Sequence, residues 1–565
     1  MNQTIDRSAL WLFLSAALLL LVSCGGGGGR TSVLPGSEPS IEPSSTPTSS
    51  PSPLITSASA EVFISGSLTY DFVPHGLVVG LDYGATSAEP IRGVLVQLLD
   101  QNDTVVSETI SNDQGLYELG ALRNTLYKVR VLAELRRDQQ PSWQFKVTDN
   151  TDQNSAYSLS GSLISSGSEG NTRDLHAASG WSGSAYTLTR VAAPFAILDS
   201  VYSMLDVLID AGLDQAMPPA ELRWSPQNRA LDGNNSNGDI GTSHFDTFDN
   251  AIYLLGDADN DSDEYDASVV QHELFHFLEA TLSRSESIGG SHTRDDQLDM
   301  RTAYSEGTAN AFAAFIAGDG VFRDSGGLSQ AGGFFFSLES KYFGNVGWYS
   351  EASIGNLVYD LLDNNSETGD ELALGLSPVL ASITSDEFIN SPALSNIYLL
   401  LDVLKASVSS SESSEITQLA QSYNIDGLGI WAEGESHNAG SSLVLPIYHS
   451  ASLGDTLTLC TRASSSAYHN KFETRRFIRL SLDALTVVNV RVTTAAQTTG
   501  DKDPDVVVFT RGQRVLYLAS DDANREEGQA LLTQGEHVIE VYDYDNTQSN
   551  GPHGSACFDI AITEV

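Results

Sequence analysis

Histidine is scarce in this chain, 11 residues in 565, yet two of them stand four apart in Val269-Val-Gln-His-Glu-Leu-Phe-His-Phe-Leu-Glu-Ala280. On a helix His272 and His276 project from one face a single turn apart, so both imidazoles can reach one cation. Zinc suits the pair, because it accepts neutral imidazole and is content with three protein ligands and a water. Glu273 would then stand beside the water rather than on the ion, which is the place of a general base. The flanks Val269, Val270, Leu274, Phe275, Phe277 and Leu278 are apolar, as a buried helix requires, and Asp266 or Ser268 could cap its start. The competing reading is a core helix carrying two satisfied histidines. Chance occurrence of the string, on the order of once in a hundred such sequences, disfavours it.

A third donor must come from elsewhere. The best candidate is Glu306, which opens a second apolar helix in Ala303-Tyr-Ser-Glu-Gly-Thr-Ala-Asn-Ala-Phe-Ala-Ala-Phe315. The string Ser305-Glu306-Gly307-Thr308-Ala309 resembles the Asn-Glu-Gly-x-Ala element of gluzincins, the thermolysin-like and aminopeptidase-like peptidases that hold zinc with two histidines and a glutamate. The resemblance implies an α+β zincin-like domain, zinc on His272, His276 and Glu306, and hydrolysis of peptide bonds with Glu273 as base. In that clan an acidic residue one turn past the glutamate orients a ligand histidine; here the offset falls on Asn310, an amide in place of a carboxylate. The stretch from His276 to Glu306 is longer than in thermolysin-like enzymes, so loop 283–296 must be accommodated and is expected to wall the cleft. A metzincin pattern needs a glycine and a third histidine soon after the motif, and Gly289, Gly290 and His292 fall too far along.

The same resemblance gives a role to Ala251-Ile-Tyr-Leu-Leu-Gly256, which reads as a strand. In gluzincins an edge strand just before the zinc helix takes substrate as an added β-strand. The run Asp257-Ala-Asp-Asn-Asp-Ser-Asp-Glu-Tyr-Asp266 then puts carboxylates at alternate positions, and Asp257, Asp259, Asp261 and Asp263 would suit calcium's preference for oxygen. It lacks the glycine and distal glutamate of an EF-hand loop, so a solvated acidic turn is the favoured account. A tetrahedral intermediate also needs a positive or hydrogen-bonding partner, for which Tyr349 and His292 are candidates against their ordinary structural roles.

These residues need elements to position them. Helical periodicity begins at Ala193, where Phe195, Leu198, Val201, Leu205 and Leu208 make one apolar face, and continues to about Ile425. Ahead of it, from about Glu61 to Ser165, short runs alternate apolar and polar residues between turn signals, the pattern of a small β-sandwich. There Arg92-Gly-Val-Leu-Val-Gln-Leu-Leu-Asp100 through Asp113-Gln-Gly-Leu-Tyr-Glu-Leu119 resembles carboxypeptidase-regulatory-like or prealbumin-like modules. After about Ser441 strands return. Asp503-Pro-Asp505 before a β run, then Gly535-Glu-His-Val-Ile-Glu-Val-Tyr542, resembles bacterial pre-peptidase C-terminal domains. The expected fold class is multidomain: an α+β zincin-like metallopeptidase domain over 175–430, flanked by all-β sandwiches over 60–165 and 441–565.

Arg7 precedes an apolar run, Ala9 to Val22, with the length of a signal-peptide core and too short for a comfortable membrane span. It ends in Leu21-Val22-Ser23-Cys24, which resembles the bacterial lipobox; the resemblance implies a lipid-modified Cys24 and a protein anchored to a membrane outside the cytoplasm. Residues 25–59, rich in Gly, Ser, Pro and Thr, read as a tether. Cys460 and Cys557 are left, and in an oxidising compartment they are expected to pair, two free thiols being the alternative. With 29 Lys+Arg against 73 Asp+Glu the net charge is -44, a surface that repels phosphate backbones and argues against nucleic-acid partners. The expected function is a secreted, membrane-anchored zinc peptidase acting on proteins or peptides. The alternative is a cell-surface binding protein whose metal is structural or absent.

Overall fold

The computed structural model describes residues 54–76, 79–341, 344–363, 372–463, 469–520, 522–548 and 553–565. The expected leader with Cys24, and all but the end of the tether, lie outside them. Among the described residues no helix is long and apolar enough to cross a membrane.

The chain opens with strands β1 (Val62–Phe72), β2 (Val94–Leu99), β3 (Val105–Ile110), β4 (Leu116–Ala121), β5 (Leu126–Arg137) and β6 (Trp143–Asp149). It continues through helix α1 (Ala193–Asp210) to β7 (Ala220–Trp224), β8 (His244–Asp246) and β9 (Ala251–Leu254). All five positions of the apolar face read from Phe195 to Leu208 are buried in α1. The expected boundary between residues 165 and 175 is not a boundary of the sheet. β7 pairs in parallel with β6, Ala220 opposite Phe145 and Leu222 opposite Val147, and the ten-stranded sheet runs β8-β9-β7-β6-β5-β2-β3 with three short strands beside this path. Parallel neighbours need a crossover, and α1 supplies it. Alternation reports which face of a strand is covered and not which strand lies beside it, so it could not show that β6 belongs to the central sheet. One hydrophobic core accordingly runs from Val62 through the helical region.

Helix α2 (Ala267–Leu282) packs on this sheet, with Phe277 edge-on against Phe145 and Phe245, and α3 (Met300–Ala317) packs against α2. A hairpin of β11 (Val321–Gly326) and β12 (Gly332–Ser337) follows, after a short β10 (Asp261–Ser262), and then helix α4 (Glu351–Leu362). Asp266 begins α2 without capping it; its carboxylate accepts from the Ser325 N–H and hydroxyl and pairs with His75.

From Tyr448 onward strands form two sheets, one of five and one of four, around a second core that includes Ile478, Val508, Ile539 and Phe558. Alternate residues of the five-stranded sheet, Phe477, Val507, Phe509, Val538 and Tyr542, instead join the core of the helical region. That two-sided burial explains the nearly unbroken apolar runs in its strands. Cys460 and Cys557 are cross-strand neighbours in the four-stranded sheet and form a disulfide.

Candidate metal centre

α2 and α3 pack so that His272 Nε2 lies 3.0 Å from His276 Nε2, and Glu306 Oε2 lies 3.1 Å from the first and 3.3 Å from the second. His272 and Glu306 are buried, while His276 is partly exposed. The protons of both rings are engaged on their other nitrogens. His272 Nδ1 donates to Asn310 Oδ1 at 3.0 Å, since the amide nitrogen of Asn310 is turned away and donates to Glu351 Oε1 at 2.7 Å. His276 Nδ1 faces the Ser305 hydroxyl at 3.2 Å, and that hydroxyl spends its proton on Glu279 Oε2 at 2.6 Å. When both rings are neutral, this tautomeric arrangement leaves each Nε2 with a lone pair facing the other ring and a carboxylate oxygen. Three donors at this spacing could hold a cation. Ligands bonded to zinc at about 2.0–2.1 Å in a tetrahedron stand roughly 3.3 Å apart, close to the separations seen.

Charge around the cluster is strongly biased. Burial raises the Glu306 carboxyl, but the His292 and His276 rings and the hydrogen bonds from His272 and His276 outweigh it and hold it below the usual carboxylate range. Burial lowers His276, yet Glu306, Glu279 and Glu273 lift it well above its ordinary value. Any metal therefore displaces a proton on binding.

Glu273 is 1% exposed. Its Oε2 accepts from the Phe245 N–H of β8 at 2.8 Å, which fixes the carboxylate, and its Oε1 is buried without a hydrogen-bond partner among the described residues. β8 is the outer strand of the sheet, hydrogen-bonded to β9 in antiparallel sense with Phe245 opposite Ile252. This corrects the expected position of the edge: Ala251–Leu254 is covered by β8. A strand of three residues carries too little alternation to be read from sequence.

Of the two candidates for a partner of developing negative charge, the fold brings in one. His292 Nε2 lies 3.6 Å from Glu306 Oε2 and 3.4 Å from Glu351 Oε2, with Nδ1 against the Gly290 carbonyl at 2.9 Å. Tyr349 is placed elsewhere; its hydroxyl donates to the Val346 carbonyl and its ring packs with Trp348 and Phe472. Loop 283–296 does wall the cleft, through Thr293, Arg294 and Asp295.

Sequence reasoning missed Glu351. The signal was present: a lone carboxylate at the start of a helix whose every residue is buried. Gly307 brings it near, because a Cβ there would lie 2.7 Å from the Glu351 carbonyl oxygen and 2.9 Å from the Gly355 nitrogen, so α3 and α4 touch backbone to backbone.

The expected four-carboxylate group is also rearranged. Asp261 and Asp263 meet Asp324 of β11, with one oxygen from each within 4.8 Å of the others. Asp259 is exposed and accepts from the Ser329 N–H, and the charge of Asp257 acts on Arg229. Asp324 is contributed by a distant strand, which local spacing could not reveal.

No protein-family model and no curated protein matches the sequence. Among solved structures, the pre-peptidase C-terminal domain of a Bacillus anthracis collagenase is 12% identical with a TM-score of 0.16, the match covering 20% of this chain and 94% of that one. A periplasmic lysozyme inhibitor from Aeromonas hydrophila is 14% identical with a TM-score of 0.14, covering 21% of this chain and 99% of its own. A surface-associated copper-binding protein of Methylomicrobium album is 7% identical with a TM-score of 0.15, covering 21% and 100% respectively. Likenesses of this extent decide nothing about the whole chain or its centre.

Proposed function

We propose that this protein is a zinc-dependent peptidase of the gluzincin type, with His272, His276 and Glu306 as metal ligands and Glu273 as general base. The observation that carries the reading is the convergence of two imidazole nitrogens and one carboxylate oxygen, each ring oriented by a buried partner behind it. A divalent ion held there supplies Lewis acidity toward water and the scissile carbonyl.

The chain's own groups divide the remaining work. Asn310 and Ser305 orient the two imidazoles, as outer partners of ligand histidines commonly do. Phe245 fixes Glu273 Oε2 and leaves Oε1 free to take a proton from water and pass it to the leaving amine. His292 is the donor to negative charge on the carbonyl oxygen, and Glu351 supports it in its charged form. β8 is the outer strand of the sheet and lies beside Glu273, where an extended peptide can run along it, which suits proteins or peptides as substrates. The Cys460–Cys557 disulfide accords with an oxidising compartment and so with the anchored, extracytoplasmic placement read from the leader.

The deciding experiment incubates purified protein with an unfolded protein, with and without a chelator, and measures bound metal in parallel. Chelator-sensitive cleavage that disappears in Glu273→Gln while the metal stays supports the reading. Bound metal without cleavage of any protein or peptide turns it toward the binding-protein alternative.

A further inference from the structure

We propose that the cavity beside His272 is a recognition pocket for a basic side chain of the substrate, lysine or arginine, an inference that rests on the peptidase reading above. The cavity holds about 300 Å³ and is lined by His272 together with Asp261, Asp263 and Asp324. Its wall is the β11–β12 hairpin. Residues two apart on a strand share a face, so Phe322 and Asp324 project together, and their cross-strand partners Phe336 and Phe334 complete that face. The rings are stacked, Phe322 on Phe336 at 4.9 Å and Phe322 with Phe334 at 6.3 Å. The Phe322 ring stands 6.0 Å from the His272 ring. Asp324 lies about 7 Å further along the strand. There it meets Asp261 and Asp263.

An aromatic wall that begins at the reacting centre and ends at three carboxylates has the two chemistries of a long basic side chain. The stem is apolar and packs along rings, and the head is a cation that seeks both aromatic faces and carboxylates. The wall already accepts such a group, since the Arg294 guanidinium lies 3.7 Å over Phe336. The carboxylates, in contrast, have no cation paired with them, although the Ser243 hydroxyl donates to Asp263. None of the three forms a salt bridge among the described residues, and Asp261 Oδ1 is buried with no hydrogen-bond partner. Burial first, then repulsion from one another and from Asp266, pushes all three well above the usual carboxylate range, and an entering cation relieves both. A bare divalent ion would use the oxygens but would have no use for a stacked aromatic path leading to the centre.

The test uses the full-length Glu273→Gln protein, which binds without turnover, and two labelled peptides that differ only in lysine against norleucine. Fluorescence anisotropy is expected to show the lysine peptide bound at least about tenfold more tightly, as fits a desolvated charge contact. Asp324→Asn, and independently Asp261→Asn, should abolish that ratio, with thermal unfolding recorded to show that each variant folds. With the active protein, mapped cleavage sites in a mixed peptide library should be enriched in lysine and arginine on one side of the broken bond. Equal binding of the two peptides, or cleavage without that enrichment, overturns the pocket and leaves the peptidase reading standing. Failure to bind or cleave any peptide overturns both. Calorimetric binding of calcium alone that Asp324→Asn removes also overturns the pocket, by giving the three carboxylates to an ion.

Discussion

Asn310 Oδ1 accepts from His272 Nδ1 at 3.0 Å while its amide nitrogen donates to Glu351, so one side chain decides which nitrogen of His272 is bare. Replacing it with leucine frees the ring to take the other tautomer. Zinc affinity, measured by competition with a chromophoric chelator, should fall by about 10–100-fold in Asn310→Leu. Asn310→Asp, which keeps the acceptor, should recover most of it.

Glu273→Gln keeps the shape of the side chain and the hydrogen bond from Phe245 but removes the basic oxygen. Hydrolysis of an unfolded protein should drop by about 10²–10⁴-fold, with zinc content by atomic absorption unchanged. His276→Ala or Glu306→Ala should lose the metal as well.

Gly307 tests the closeness of α3 and α4. In Gly307→Ala the new Cβ meets the α4 backbone, which has no flexible end to move aside. Thermal denaturation should report a loss of about 1–3 kcal/mol. Metal affinity should weaken too, because Glu351 and Asn310 meet across the same contact.

The C-terminal sheet is tied to the helix that bears Glu306. Arg301, at the start of α3 and 1% exposed, donates to both oxygens of Glu540 at 2.9 and 3.1 Å, and Arg475 donates to the same carboxylate. Burial opposes ionisation of Glu540, but the two guanidinium groups win and carry it from 4.5 down to about 2. A depressed folded-state pKa contributes stability that is present above the unfolded value and lost as pH falls from about 4.5 toward about 2. The melting temperature should therefore fall across that window. Glu540→Gln should lack this part of the acid slope and be less stable at neutral pH by about 3–5 kcal/mol, having left buried Arg475 without its carboxylate and Arg301 with Asp299 alone.

A chain beginning at residue 175 lacks β6, the partner that β7 needs on one side, and with it Phe145 under Phe277. It should not give a cooperative melting transition in far-ultraviolet circular dichroism. Phe145→Ala in the full chain should cost about 3–5 kcal/mol in urea unfolding.

Local sequence determined the parts whose neighbours are one turn or one strand away. His272, Glu273 and His276 sit on one helix, so a spacing of four was enough to join the two rings. The strand-forming runs after about Ser441 marked a sandwich, and the cysteines proved to be cross-strand neighbours in it. Glu306 and Asn310 were found through a short motif whose glycine has a physical purpose, the contact of α3 with α4. Everything that depends on which surfaces meet was decided by the tertiary structure. The parallel pairing of β6 with β7, the outer position of β8, the approach of His292 and Glu351, and the union of Asp324 with Asp261 and Asp263 all join segments far apart in the chain. Burial leaves the same apolar pattern whichever partner covers a face, and a carboxylate has the same spelling whether it meets water, a guanidinium or two others of its kind.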